Sequence, residues 1–390
     1  MRICQVITRL ILGGAQENTI LTCEGLRARG HEVTLITGPP LGPEGELMTR
    51  AREGGYRVIV IDSMRREIHP RRDRAAYREL LRHLSDLAPD VMHSHSSKAG
   101  ILARKAAAEV GGMKIVHTIH GLPFHRYQSW WRNRLYAALE RRAARRTDAL
   151  ISVADAMTAQ ALAAGVGRDE QYTTIYSGME VKRFLRRPPQ TEAFREALRV
   201  PARGVIVTQI SRLAELKGHE FLVRVATQMV NEKVVFCFVG DGPLREQTES
   251  AIARMGLAKR FRLTGLLGPE EIPAAVHASD IIVHCSLHEG LARALPQGML
   301  AGKPVVSYDV DGAREVVDGE TGILLPPKDI DGLELAIETL AETPKLRKKL
   351  GANGRERCRE MFDHERMVTR IEEVYEGIAA GEAQGANGEP

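Results

Sequence analysis

Apolar residues along this chain fall into short runs of two to seven, recurring within each half every 19 to 35 residues and separated by helical stripes. In the first half, strand-like runs occupy 3–7, 33–37, 57–61, 91–92, 114–118 and 149–153. Helical periodicity fills 16–29, 43–53, 72–87, 99–110 and 130–146 between them. Runs buried on both faces that alternate with amphipathic helices predict a parallel, doubly wound sheet covered on both sides. Asp90, Asp148 and Asp280 each stand directly before an apolar run, marking the entry to a strand.

The pattern breaks at Arg186-Arg-Pro-Pro-Gln190, where adjacent prolines among polar residues predict a linker over 186–193. A second alternating series follows, with strands at 204–210, 234–239, 261–264, 280–284 and 304–308. Its helices are expected at 216–229, 243–255, 269–278, 331–342 and 344–361. A last helix, 363–378, carries Met367, Ile371, Val374 and Ile378 on one stripe. The tail over 379–390 is poor in apolar residues and is expected to be disordered. The predicted organisation is a first domain over 1–185 and a second over 194–362.

Composition narrows the class without naming a function. A chain of 390 residues exceeds what one core usually serves. Net charge is +5 and the pI about 8.9, a basic bias suited to anionic ligands but too weak to imply nucleic acid. Five scattered cysteines without a CxxC argue against a disulfide framework or structural zinc and for a reducing compartment. No apolar run approaches the ~20 residues of a membrane-spanning helix, and a cytoplasmic location is expected.

Candidate chemistry gathers where strands end. Glu289 lies just after the 280–284 strand and just before a short helix that should begin near Leu295, with Gln297 in its first turn. In an open α/β sheet that crevice is where ligands bind, and the free amides of a helix start favour negative charge. Arg212 and Lys217 follow the first strand of the second series, spaced to clamp a diphosphate. Gly13-Gly14-Ala15 after the first strand lets backbone amides approach a ligand or simply makes a tight turn. Gly240-Asp-Gly242 reads foremost as a structural turn. His120, at the end of the 114–118 strand, is placed for hydrogen bonding or proton transfer, whereas His117 lies inside that strand. His93 and His95 lack a third ligand, so no metal site is expected. The stretch 126–146 is rich in arginine and carries Trp130 and Trp131. It could meet an anionic membrane or an anionic acceptor. It could equally be an ordinary helix with its tryptophans, Leu135 and Leu139 on the core.

Together these motifs resemble the retaining, two-domain glycosyltransferases of the GT-B fold, family 4. The resemblance runs from Gly13-Gly14-Ala15 through His117-Thr-Ile-His120-Gly121, Arg212 with Lys217, Gly240-Asp-Gly242 and Ser286-Leu-His-Glu289-Gly290. It continues to Asp311-Gly-Ala-Arg-Glu315 and Thr321-Gly-Ile-Leu-Leu325. It implies two Rossmann-like domains facing across a cleft, with the last helix packing back on the first. It implies a nucleotide-sugar donor, UDP-sugar favoured, and no cofactor or metal. Arg212, Lys217 and the amides of Gly14, Leu291 and Ala292 would hold the diphosphate. Glu289, beside Gly290, would hold the sugar hydroxyls and Gln297 the ribose. Gly240 and the stretch Thr264 to Leu266 would flank the nucleotide. His120 would reach the transferring sugar, and a saccharide or lipid-linked acceptor would take it, in bacterial surface polysaccharide or glycolipid synthesis. A cytoplasmic enzyme is expected, and the 126–146 stretch leaves room for peripheral contact with an anionic inner membrane face.

Two positions depart from the family pattern. Gln297 stands where a second glutamate is usual, which predicts a weaker hold on the donor. Tyr176-Ser-Gly-Met-Glu180 replaces the usual Pro-Asn-Gly-Val-Asp. These departures keep a non-catalytic nucleotide-sugar-binding protein and an NDP-sugar epimerase as rival readings. The missing G-x-G-x-x-G speaks against a nicotinamide oxidoreductase.

Overall fold

The computed structural model describes residues 1–41 and 45–381. The chain forms two units: residues 1–179 together with the chain from His364 onward, and residues 180–363.

The first unit holds seven strands: β1 (Arg2–Arg9), β2 (Glu32–Gly38), β3 (Arg57–Val60), β4 (Val91–His95), β5 (Lys114–Ile119), β6 (Ala149–Ser152) and β7 (Tyr172–Thr174). All are parallel, in the order β3-β2-β1-β4-β5-β6-β7. Its helices are α1 (Gly14–Ala28), α2 (Met48–Glu53), α3 (Pro70–Leu87), α4 (Ser97–Val110), α5 (Trp130–Ala144) and α6 (Asp155–Ala163). Of the helix expected over 43–53, residues 43 and 44 lie outside the described residues, and the helix is seen only from Met48. The strand β7 and helix α6 went unpredicted: β7 is three half-buried residues, and α6 is mostly alanine and polar.

The second unit repeats the scheme with β8 (Val205–Ile210), β9 (Val234–Val239), β10 (Phe261–Gly265), β11 (Ile281–His284), β12 (Val305–Tyr308) and β13 (Gly322–Leu325). These are parallel in the order β10-β9-β8-β11-β12-β13. Its helices are α7 (Val181–Leu185), α8 (Thr191–Ala197), α9 (His219–Gln228), α10 (Arg245–Arg254), α11 (Ile272–Ala278), α12 (Ala294–Leu300), α13 (Ile330–Glu342) and α14 (Pro344–Met361). Both sheets reverse strand order beside their first strand, and at such a switch point adjacent loops leave in opposite directions and open a crevice.

Three aspartates explain how strands begin. Asp90 accepts from the Arg2 amide at 2.6 Å, Asp148 from Ile115 at 2.7 Å and Asp280 from Ile206 at 2.8 Å. Each carboxylate satisfies the first free N–H of the neighbouring strand, which would otherwise lack a partner.

Two expected boundaries move. The 186–193 stretch is not a linker between the units but lies inside the second one. There Pro188 closes a turn by accepting from the amide and hydroxyl of buried Thr191, at 3.1 and 2.7 Å. The final helix, α15 (His364–Ala380), runs through the first two residues of the expected tail, and 382–390 lie outside the described residues. Its buried stripe, Met367, Val368, Ile371, Val374, Tyr375 and Ile378, joins the core of the first unit. Gly25 lets α1 approach it closely, since a Cβ there would sit 2.7 Å from Val368 Cγ2. Glu372 adds an ion pair to Arg29 at 2.7 Å and a hydrogen bond with His31 at 2.6 Å.

Candidate active site

In the second unit the switch point falls between β8 and β11, and the loops that follow those strands carry Lys217 and Glu289. Buried Gln209, near the end of β8, donates to the Lys217 carbonyl at 2.8 Å and fixes the loop from beneath. The next residue, Gly218, has φ +75°, and a Cβ there would stand 2.1 Å from the Cys285 carbonyl oxygen. Only glycine suits both demands. Leu287 donates to the Leu216 carbonyl at 2.8 Å, so the two loops are seamed together.

That seam sets Lys217 Nζ 2.5 Å from Glu289 Oε1. His284, at the end of β11, places Nε2 3.1 Å from the same oxygen. Burial by itself would raise the Glu289 pKa, but the Lys217 charge and the His284 hydrogen bond outweigh it and hold the carboxyl well below 4.5. Glu289 is therefore a carboxylate at neutral pH. Its own amide donates to Asp311 Oδ2 at 2.7 Å, and Gly312 donates to the Gly290 carbonyl at 3.1 Å. The loop after β12 thus latches the 289–290 turn. Sequence reasoning quoted Asp311 only as part of a motif and gave His284 and Gln209 no role. The signal available was the position of each at or near a strand's carboxyl end.

Past Glu289, the amides of Gly290, Leu291 and Ala292 donate to no described residue. Leu291 and Ala292 are nonetheless buried. Backbone N–H groups seldom stay unpaired in such a place, and three in succession make a cradle for an anion. Gln297 stands in α12 two turns' reach from Glu289 in sequence, half-buried, its side chain bonded to no described residue.

Arg212 belongs to the same assembly. Gly240 and Gly242 are more than a turn: their Cβ positions would fall 2.2 Å from the Ser211 carbonyl and 2.3 Å from the Leu213 carbonyl. The loop after β9 thereby presses against the loop after β8, with Gly242 directly beneath the Arg212 stem. Gly240 also donates to Gly265 at 3.0 Å, which brings Thr264 and exposed Leu266 alongside. The structure thus gathers Arg212, Lys217, Gly240, Thr264, Leu266, Glu289 and Gly290–Ala292 at one end of one sheet.

Gly14 and His120 are in the first unit. Gly13 caps α1 in an extended conformation and Gly14 is its first helical residue. His120 follows β5 and lies 2.9 Å from His95 Nδ1 through its Nε2. His95 Nε2 meets Gln5 Oε1 at 2.7 Å, and Gln5 donates to the Tyr375 hydroxyl at 2.9 Å. That hydroxyl lies 2.5 Å from His93 Nδ1, whose Nε2 meets Thr118 at 2.7 Å. Desolvation, then neighbouring histidines, push His95 well below 6.5, and burial with the His120 charge takes His93 down to about 3. Neutral His95 facing the Gln5 carbonyl oxygen must carry its proton on Nε2, so its Nδ1 accepts from His120. His93 and His95 are structural members of this chain of hydrogen bonds.

Helix α5 decides between two readings: Trp130, Trp131, Leu135 and Leu139 are exposed and are not set on the core.

Comparison with known proteins places the chain in a family. The family described as Glycosyl transferases group 1 matches residues 190–357, and the Glycosyl transferase 4-like domain matches residues 13–178. The 2-deoxystreptamine N-acetyl-D-glucosaminyltransferase of Streptomyces fradiae is 31% identical over 279 residues, 68% of this chain and 66% of that enzyme, just under two thirds of its length. The UDP-Gal:alpha-D-GlcNAc-diphosphoundecaprenol alpha-1,3-galactosyltransferase of Escherichia coli is 25% identical across 96% of both chains. HepE of Anabaena, solved with UDP-glucose, superposes with a TM-score of 0.83 at 23% identity, covering 97% of this chain and all of that one. With these matches, the two Rossmann-like units are those of a glycosyltransferase of the GT-B fold. The chain belongs to the family 4 type, the glycosyl transferases group 1.

Proposed function

We propose that this chain is a retaining, metal-independent glycosyltransferase. It moves a sugar from a UDP-sugar to a saccharide or lipid-linked acceptor, in the cytoplasm, for surface polysaccharide or glycolipid synthesis. The observation that carries the reading is the Lys217–Glu289 pair at the switch point, beside three unpartnered amides. A diphosphate arriving there would draw Lys217 and Arg212 to its oxygens and occupy the amides of Leu291 and Ala292, with Gly14 adding its own. Fixed donors and cations aimed at the leaving diphosphate supply the charge stabilisation that departure requires. Glu289, relieved of Lys217, would accept from sugar hydroxyls, and Gln297 would bond the ribose. Gly240, Thr264 and Leu266 would flank the base, and His120 would serve the transferring sugar. A UDP donor is favoured because the Escherichia coli relative is named for UDP-Gal and HepE was solved with UDP-glucose.

Calorimetry with UDP-, GDP- and ADP-glucose tests the donor. Tightest binding is expected for the uridine nucleotide, and a preference for either other base would overturn that choice. Gln297→Glu is expected to tighten donor binding by about fivefold, the gain of a charge-assisted over a neutral hydrogen bond. An unchanged affinity would remove Gln297 from the ribose. Tight binding with neither transfer nor UDP release would make the chain a scaffold, and sugar conversion without acceptor would make it an epimerase.

A further inference from the structure

Helix α5 is fastened to the first unit by small residues and a buried ion pair, not by its large apolar side chains. Ala143 and Ala144 are buried, and Glu140 binds Arg104 of α4 at 2.6 Å with both side chains inside. The Asn133 amide holds the preceding loop, donating to the His125 carbonyl at 2.8 Å and accepting from its amide at 3.1 Å. This anchoring turns the other face outward. Trp130 is 76% exposed, Trp131 52%, Leu135 49% and Leu139 37%. Trp131, Leu135 and Leu139 are four residues apart and form one stripe.

Along α5 and the loop before it the exposed charges are all of one sign. The only acid between residues 121 and 147 is Glu140, which is buried and paired. Arg141, Arg142 and Arg145 line an open depression of about 290 Å³ with Ala138. Arg132 sits over the Trp131 ring at 5.1 Å.

We infer that α5 docks the protein on an anionic lipid bilayer, with Trp130, Trp131, Leu135 and Leu139 entering the interface and the arginine depression receiving lipid phosphates. Aromatic rings with an apolar body and polar edge belong at headgroup depth, and arginine forks match phosphate oxygens. A second copy of this helix would bring its arginines against the same arginines, which disfavours a two-fold contact. A soluble polyanion would engage the charge and leave the tryptophans in water. The inference stands on α5 alone and does not depend on the donor site.

The sequence has two tryptophans, both on this face, so tryptophan emission, excited selectively over the eight tyrosines, reports on α5 alone. Vesicles of phosphatidylcholine with phosphatidylglycerol are expected to shift the emission to shorter wavelength and to carry the protein on flotation. Pure phosphatidylcholine should do so far more weakly. Reversing three surface charges, R141E with R142E and R145E, should weaken binding by at least about 100-fold, since each surface arginine adds roughly fivefold. Leu135→Glu with Leu139→Glu, at positions that carry no core packing, should abolish the shift while the melting curve stays in place. Binding indifferent to phosphatidylglycerol, or unchanged in both variants, would overturn the inference. A concentration-dependent shift without lipid would also overturn it, by assigning the face to a second copy of the chain.

Discussion

Lys217→Ala is expected to lower kcat/KM for sugar transfer by about 10²–10³-fold, the cost of removing one preorganised group that meets charge developing on a leaving atom. Steady-state kinetics with saturating acceptor measures it, and near-normal turnover would release Lys217 from the mechanism. Glu289→Ala should cost at least as much, because it removes the sugar contact and leaves Lys217 beside His284 without its counter-charge. The pair also links stability to pH. The Glu289 pKa is depressed in the folded protein, so its contribution is complete above about 4.5 and is lost as pH falls below that value. The stability difference between the wild type and Glu289→Gln should therefore shrink steadily below pH 4.5, and a difference that grows there would contradict the assignment of the carboxylate as ionised.

Gly218→Ala carries the second large effect, and its origin is steric. The substitution places a Cβ on a left-handed backbone, 2.1 Å from a main-chain carbonyl that no side-chain movement can relieve. The conformation alone costs about 1–3 kcal/mol, which for a unit of this size lowers the melting temperature by roughly 2–12 °C. The neighbouring Lys217 moves with the loop, so donor affinity should fall together with stability. Calorimetry of folding and of donor binding on the same variant measures both. A melting temperature and an affinity both unchanged would mean that the seam between the β8 and β11 loops does not position the site.

All strands but β7 and β13 were legible because they centre on short apolar runs, introduced in three cases by an aspartate whose partner the structure reveals. Glu289 and Lys217 were legible from their places after such runs. Their contact was not, because it depends on which strands are neighbours, and β8 and β11 are about seventy residues apart in sequence. The sequence left the face of α5 open between two readings for a definable reason. Periodicity assigns the core to large apolar residues, whereas this helix buries alanines and the Arg104–Glu140 pair and leaves its tryptophans outside. Adjacent prolines at 188 and 189 read as a linker for a similar reason, since a proline turn between two short helices looks the same in one dimension as a hinge between domains.

The central claim is transfer from a UDP-sugar with retention, and the anomeric configuration of the product tests it most directly. Proton NMR of the glycoside formed from UDP-α-linked donor should show the α-anomer, accumulating with UDP and undiminished by a chelator. A β-linked product would contradict retention, and transfer abolished by the chelator and restored by a divalent cation would contradict the role given to Arg212 and Lys217.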